Sequence, residues 1–531
     1  MPMAWTLAGV LAGCSGSDAS TQRPAIDPPS ASVEDPAALD ALDATIAAHW
    51  QQAGVTPTEA ADDAEYLRRV SLDLIGRIPT ADEVERFMAD NRPSKRAALV
   101  DDLLARDEFA DHWADVLAET LLGGAVQDRP RLREGLHAWL QTQLHDGRGW
   151  DDITTQMLTV EGEVQLEGPA AFMVVHGRKN QVEALTGQTA RVFLGLQLQC
   201  AQCHDDPDDR FTQAQFYGLA AYYARTRSRF AKVDGVRVPR IVDKPRGEMR
   251  MPTDEDAPGD RSGPRVAPAF PALAAVADKD ESRRRTLARG IVGSPLFAKA
   301  AVNHAWARMI GRGIVEPWDD LGGLENADHP ALLEQLAAEL RDHDHDLRWL
   351  LHRIALSSAY QRSSRGPDDG AVAREHAFAQ AAVRPMTSPQ LLRSLLVATG
   401  LDDVQGRAFR REVQTRRNHL RKEYELVFDD DEMASTDSMS GNVPQALLLL
   451  NGELTNQGVA ASRGALTQIL ERHAEPDARI DALFLRIYGR PASDPRRTEL
   501  VAFLDARDHA PAAYEDLMHA MLVSSEFLTV H

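Results

Sequence analysis

Two of the three cysteines in the chain lie three residues apart, and a histidine follows the second of them. In the segment 195–213, GLQLQCAQCHDDPDDRFTQ, these residues are Cys200, Cys203 and His204. Cys-x-x-Cys-His is the attachment signature of c-type haem. The two thiols would form thioethers to the two vinyl groups of one haem, and His204 would be the proximal ligand of its iron. The motif therefore predicts one covalently bound haem c per chain.

The two cysteines have other possible uses. In an oxidising compartment Cys200 and Cys203 would form a disulfide, either as a redox-active pair or as a structural clip. A zinc site needs about four ligands, whereas the sequence offers two thiolates, an adjacent histidine and no second Cys-x-x-Cys pair. A purely structural role at a helix end is the remaining alternative. The residue pattern favours haem over these three.

The sequence does not identify the sixth iron ligand. Met173 and His176 precede a helix predicted over 181–199, which would hold them roughly 30 Å from the motif at about 1.5 Å per residue. His112 lies in a separate helical segment, and for a buried histidine a satisfied core group is the more common role. We therefore predict only the proximal ligand.

Four aspartates follow the motif: Asp205, Asp206, Asp208 and Asp209. Negative charge near a haem would lower its potential, and carboxylates can also bind calcium, but this spacing does not match an EF-hand loop. We interpret the four residues as a solvated turn with Pro207 inside it. The segment 341–346, RDHDHD, is likewise predicted to be a polar turn between helices.

The third cysteine, Cys14, follows a short apolar stretch that ends in small residues. The stretch is too short to span a bilayer but suits the core of an export signal. The sequence LAGC at 11–14 resembles the bacterial lipoprotein signal, in which the cysteine is acylated. This resemblance implies an exported protein with a lipid anchor at Cys14, and Ser15 after it implies the outer membrane.

The chain has 531 residues, with 80 acidic and 59 basic side chains and a net charge of −21. Such a surface repels phosphate backbones, so nucleic acid is not expected as a partner. No apolar run approaches the roughly 20 residues of a membrane-spanning helix. The sequence has no Gly-x-Ser-x-Gly, His-Glu-x-x-His or phosphate-loop signature, so whether the protein is an enzyme is left open.

Hydrophobic spacing predicts a mainly α protein, with two helical domains joined by a loop-rich connector that carries small β-hairpins. A turn through Gly76, followed by Thr80 and Glu83 three residues apart, predicts a capping box at a helix start. The predicted parts are a lipoprotein signal and lipidated cysteine over 1–14, a disordered tether over 15–36, a first helical domain over 37–225, the connector over 226–285 and a second helical domain over 286–531.

Long segments of both helical domains resemble a known pair of domains. The first is similar to a planctomycete-type cytochrome-c-related domain in DDAEYLRRVSLDLIGRIPTADEV and in RVFLGLQLQCAQCHDDPDDRFTQAQFYGLAAYY. The second is similar to a planctomycete-specific C-terminal domain in SPLFAKAAVNHAWARMIGRGIVEPWDDLG. The resemblance implies an exported, mostly helical protein with a cytochrome-c-type motif, in a family without an established activity. Relatives usually carry a second histidine where this chain has Asp206.

Five residues of the second domain match the family pattern and are predicted to serve packing and turn geometry: Asn303, Trp306, Gly311, Arg312 and Gly313.

Together these observations predict a cell-envelope lipoprotein in which one haem c, held by Cys200, Cys203 and His204, exchanges electrons with an unidentified redox partner. The alternative is a haem-free envelope binding or assembly protein with a Cys200–Cys203 disulfide. A third hypothesis, an exported polymer-degrading enzyme, depends only on the broad lifestyle of the family.

Overall fold

The computed structural model describes most of the chain from Pro36 onward. The described residues are 36–123, 130–163, 168–176, 181–207, 210–233, 236–253, 261–274, 281–322, 327, 329–401, 448–450, 452–462 and 464–531. The predicted lipidation site Cys14 lies outside them, as do residues 15–35 of the predicted tether and the aspartates Asp208 and Asp209.

The chain is helical up to the predicted connector. The described α-helices here are α1 Pro36–Ala53, α2 Asp63–Ile75, α3 Ala81–Ala89, α4 Lys95–Ala105, α5 Asp107–Leu122, α6 Pro130–His145, α7 Trp150–Thr159, α8 Ala170–Val175, α9 Gln181–Leu194 and α10 Gln213–Ala220. Single 3-10 turns cover Cys200–Gln202 and Ala221–Tyr223. The prediction of a mainly α fold is confirmed.

Local hydrogen bonds define the ends of α2 and α3. The side chain of Asp62 caps α2 by accepting from the Glu65 N–H at 2.8 Å. Gly76 ends α2 in the left-handed conformation, with φ 71°. Thr80 and Glu83 form the predicted capping box of α3, in which each side chain accepts from the backbone N–H of the other residue.

The strands are short and antiparallel. The largest sheet has the order β1–β3–β2, with β1 at Gly162–Glu163, β2 at Thr226–Val233 and β3 at Val236–Asp243. In the β2–β3 hairpin, Thr226 lies opposite Asp243 and Val233 lies opposite Val236. The two smaller sheets pair β4 Met249–Arg250 with β5 Arg265–Val266, and β6 Arg384–Pro385 with β7 Thr529–Val530. The connector region thus contains hairpins, as predicted.

Helices resume after the connector. They are α11 Arg283–Val292, α12 Pro295–Ile310, α13 Pro330–Asp342, α14 Leu347–Leu356, α15 Ala371–His376, α16 Ser388–Thr399, α17 Glu453–Gly458, α18 Gly464–Arg472, α19 Pro476–Tyr488, α20 Asp494–Asp505, α21 Pro511–Leu522 and α22 Ser525–Leu528. None of the helices in the described residues has the length and apolar character needed to cross a membrane.

Buried apolar side chains form two cores, and the boundary between the cores does not lie at the connector. The larger core contains residues from Leu42 to Ala379, because α11 packs against α7 and α12 packs against α9. The smaller core contains residues from Met386 to Val530 together with Leu72 from α2. All the residues of α2 from Glu65 to Ile75 are buried, as expected for a helix that lies between two cores.

Candidate functional site

The Cys-x-x-Cys-His motif lies on a short surface turn. α9 ends at Leu194 rather than at the predicted residue 199, because Gly195 adopts a left-handed conformation with φ 61°. Cys200 then begins a 3-10 turn, in which the Cys203 N–H donates to the Cys200 carbonyl at 3.3 Å. Cys200 is exposed, Cys203 is partly buried, and both are free thiols. One short turn therefore carries both thiols, with Cys200 exposed at the surface.

The ring of His204 is oriented by a backbone carbonyl. His204 is exposed, and its Nδ1 lies 2.7 Å from the carbonyl oxygen of Asp205. Because a carbonyl oxygen can only accept, the neutral imidazole carries its proton on Nδ1, and Nε2 keeps the free lone pair. Metal-ligating histidines commonly have their second ring nitrogen held in this way. With Nδ1 held in this way, Nε2 is the ring nitrogen of His204 that could ligate a metal.

Gln213, the first residue of α10, ties the motif to that helix. Its side-chain amide donates to the Cys203 carbonyl at 2.7 Å, and its backbone N–H donates to the Asp205 carboxylate at 2.7 Å. A capping box between Thr212 and Gln215 fixes the start of the same helix. The helix thus braces the turn on the C-terminal side of the motif.

Asp206 is not part of a solvated turn, so that interpretation is wrong for this residue. Its side chain is 3% exposed and pairs with Arg210 at 3.3 Å. The Asp206 N–H also donates to the Phe211 carbonyl at 2.8 Å. A buried carboxylate requires such partners, because removing an unpaired charge from water is costly. Asp205, in contrast, is exposed as expected.

Residues that follow the connector complete the surroundings of the motif. Arg210 also donates to Asp320 at 2.8 Å, so its guanidinium bridges Asp206 and Asp320. The hydrogen bonds that Arg210 donates to these two carboxylates raise the pKa of its guanidinium. Next to this bridge, Asp319 accepts from Arg191 at 2.5 Å and from Gln197 at 2.8 Å. The segment 319–320 therefore holds both the approach to the motif and the turn after it.

Gly195 is required by its contact with the same segment. The Leu321 N–H donates to the Gly195 carbonyl at 2.5 Å. A Cβ atom at Gly195 would lie 2.8 Å from Leu321 Cγ, closer than side chains can approach. Both the positive φ and this close approach require glycine at residue 195.

Asn303 positions the segment that reaches the motif. Its side chain donates to the carbonyls of Val315 and Trp318, each at 2.9 Å, and accepts from the Val315 N–H at 3.0 Å. The prediction that Asn303 serves turn geometry is confirmed. Its consequence for Asp319 and Asp320 was missed, and the only available signal was the family-like segment GRGIVEPWDDLG that contains them.

The other candidate ligands have partners of their own. His112 is buried, and its Nδ1 lies 3.4 Å from the Arg393 guanidinium. Burial, and to a lesser extent the charge of Arg393, lower the pKa of His112 to about 3. His176 Nε2 lies 2.9 Å from the Leu121 carbonyl, and Met173 is fully buried in the larger core.

The RDHDHD segment forms the predicted turn between α13 and α14, with Asp344 and His345 at positive φ. In the described part of the chain no three His, Cys, Asp or Glu side chains are grouped as metal ligands.

The fold and the site define a mostly helical protein with a surface Cys-x-x-Cys-His turn, held between segments from either side of a β-hairpin connector. Residues 41–228 match the family model PSCyt2, described as a protein of unknown function (DUF1549). Residues 283–504 match the model PSD1, also described as a protein of unknown function (DUF1553). The two halves of the chain are thus similar to these two domains, in the order PSCyt2 and then PSD1. No curated protein and no solved structure matches the chain.

Proposed function

We propose that the protein carries one covalently bound c-type haem and transfers electrons at the cell envelope. The observation that carries this proposal is the surface turn, where two thiols and an oriented imidazole are adjacent in the chain. His204 has Nδ1 against a carbonyl at 2.7 Å, so Nε2 is the nitrogen available to iron. The name of the matching PSCyt2 model agrees with a cytochrome-like relation.

The chain's own residues would have distinct roles in holding the haem. The thiols of Cys200 and Cys203 would each add across one vinyl double bond, with the sulfur bonding to one carbon and the hydrogen to the other, so no oxidant is needed. His204 would ligate the iron from the proximal side. Bound haem supplies one-electron chemistry between its ferric and ferrous states. Asp206, Arg210 and Gln213 would keep the turn in place while the charge on the iron changes.

The proposed location is the outer membrane, with the lipid anchor at Cys14. The apolar stretch before Cys14 and the LAGC sequence support export. In bacteria, haem c is attached outside the cytoplasm, so the export and haem parts of the proposal agree. Sustained electron transfer also needs a redox protein partner at the envelope.

The test is expression of the mature-length chain with a periplasmic export signal, in a host that has cytochrome c maturation proteins. We expect the intact mass to rise by one haem and a Soret band to appear. Both should be lost in the Cys200→Ala/Cys203→Ala variant. Gln202→Ala, inside the same turn, is the matched control and should keep the haem.

A mass two protons below that of the reduced apo chain would instead show a Cys200–Cys203 disulfide and overturn the haem proposal. Acylation is a separate measurement: the mass of the exported full chain with its own signal should include lipid, and Cys14→Ser should remove it.

A further inference from the structure

An open cleft of about 350 Å³ lies among the helices α19, α20 and α21. α20 and α21 each pack against α19, and side chains of all three helices line the cleft. Small-molecule sites are typically clefts of roughly 300–1,000 Å³ that are mostly apolar and carry a few polar groups. The cleft therefore has a size that suits a small organic ligand.

The cleft has an apolar lining, formed by Phe484, Tyr488, Leu500, Phe503, Leu517 and Met521. Residues four apart on a helix share a face, so Phe484 and Tyr488 line it from α19, and Leu517 and Met521 line it from α21. These four side chains are buried, whereas Leu500 and Phe503 on α20 are only partly buried. An apolar group that entered the cleft would displace water from the α20 wall, which is favourable.

Several polar groups of the cleft already have partners. The Arg490 guanidinium donates to both oxygens of the Glu526 carboxylate, each at 2.9 Å. The Tyr488 hydroxyl lies 2.9 Å from the Ser524 hydroxyl. These groups do not need a ligand to complete their hydrogen bonds.

Two charged residues remain, and they lie on different walls. Asp516 on α21 is exposed and forms no ion pair with any described residue. Arg496 on α20 pairs with Glu499 at 3.0 Å, but the two side chains are 61% and 67% exposed. Such an exposed ion pair contributes little to stability, so a ligand could replace Glu499 at small cost. The cleft thus offers a carboxylate from one wall and a guanidinium from the other.

We propose that this cleft binds a small zwitterion with an apolar body, of which a free amino acid with a large hydrophobic side chain is the simplest example. The ligand ammonium would donate to Asp516, and the ligand carboxylate would accept from Arg496. The apolar body would lie against Leu500 and Phe503. A ligand with one charge would satisfy only one of the two walls, so the cleft is complementary to a ligand with both.

Cys200, Cys203 and His204 do not line the cleft, so ligand binding here does not depend on the proposed haem. A chain without haem can bind the zwitterion, and a chain with haem can fail to bind it.

The test is isothermal titration calorimetry of the full chain with phenylalanine and with two analogues that each lack one charge. Phenethylamine lacks the carboxylate, and hydrocinnamate lacks the ammonium. We expect phenylalanine to bind at least about tenfold more tightly than either analogue, because each analogue loses one charge-assisted hydrogen bond. Alanine should bind more weakly than phenylalanine, because it lacks the large apolar body.

Two variants assign the ligand charges to residues. Asp516→Asn should weaken phenylalanine binding about tenfold, to the level of hydrocinnamate, and leave hydrocinnamate binding unchanged. Arg496→Gln should weaken phenylalanine binding to the level of phenethylamine and leave phenethylamine binding unchanged. Both side chains are exposed, so the variants should fold as the parent chain does. The matched controls are Asp494→Asn and Arg472→Gln, at exposed residues outside the cleft, and they should bind every ligand as the parent chain does.

No binding of phenylalanine at about 1 mM, or equal binding of phenylalanine and its two charged analogues, would overturn the proposal. It would also fail if either cleft variant bound phenylalanine as tightly as the parent chain. Tighter binding of phenethylamine than of phenylalanine would show a site for apolar cations in which Arg496 takes no part, and would overturn the zwitterion.

Discussion

Two charged clusters join residues from either side of the connector, and they differ in burial. At the motif, Arg210 bridges Asp206 and Asp320, and the Arg210 side chain is 29% exposed. Between the two cores, Asp73 on α2 pairs with Arg384 on β6 and accepts from the Tyr360 hydroxyl at 2.6 Å. The Asp73 side chain is 1% exposed.

The difference in burial separates the roles of the two clusters. A charge pair in contact with water contributes little to stability, whereas a buried charge that loses its partner is strongly destabilising. The Asp73 cluster therefore holds the two cores together. The Arg210 cluster orients the motif turn at small energetic cost.

The largest expected effect is at the buried cluster. Asp73→Asn should lower the free energy of unfolding by roughly 3 kcal/mol, because it removes the charge that neutralises Arg384. Urea unfolding at neutral pH measures the change. Asp494→Asn, at an ion pair whose carboxylate is 94% exposed, is the matched control and should change stability by less than about 0.5 kcal/mol. Equal losses in the two variants would contradict the assignment.

Acid should lower the stability of the fold through the buried ring of His112. Burial and Arg393 lower its pKa to about 3, so the folded state keeps this ring neutral while the unfolded chain takes up a proton below about 6.5. The stabilisation is complete above about pH 6.5 and is lost as the pH falls towards 3. Over that range His112 should lower the free energy of unfolding by about 1.4 kcal/mol for each pH unit of acidification.

The free energy of unfolding, measured at several pH values between about 6 and about 4, tests this expectation. His112→Gln should reduce the slope of stability against pH by the equivalent of about one bound proton. His376→Gln, at an exposed ring, is the control and should leave the slope as it is. An unchanged slope in His112→Gln would show that another group controls the acid response.

The smallest effect is expected at the motif. Asp320→Asn should cost no more than about 1 kcal/mol, because Arg210 is partly exposed and keeps Asp206 as a partner. Hydrogen exchange should nevertheless become faster at Asp206, whose N–H is bound to the Phe211 carbonyl. Protection of α2 is the internal reference and should not change. A global loss of protection would mean that the cluster stabilises the whole fold.

Sequence reasoning succeeded where the signal is local. Thr80 and Glu83 form their capping box because a hydrogen bond over three residues needs only the neighbouring backbone. The helical class and the β-hairpin of the connector follow from the spacing of apolar residues along one segment. α9 ends at Leu194, five residues before the predicted end, and Gly195 is the local signal for that end.

Partners that are distant in the chain were not predictable in the same way. Asp206 looked like one of four solvent-exposed aspartates, and its burial depends on Arg210 and on Asp320, which is more than a hundred residues away. The sequence does not predict which helices share a core for the same reason, since α11 to α14 have apolar faces that do not state which helices they pack against.

The amino-acid sequence by itself determined the helices, their caps, the hairpin and the adjacent thiols and imidazole of Cys200, Cys203 and His204. Each of these depends on residues that interact within a few positions of one another. Only the tertiary structure decided that Asp319 and Asp320 hold the motif and that Asp73 meets Arg384. Those outcomes depend on which surfaces lose water together, and burial of that kind is a property of the packed chain rather than of any one segment.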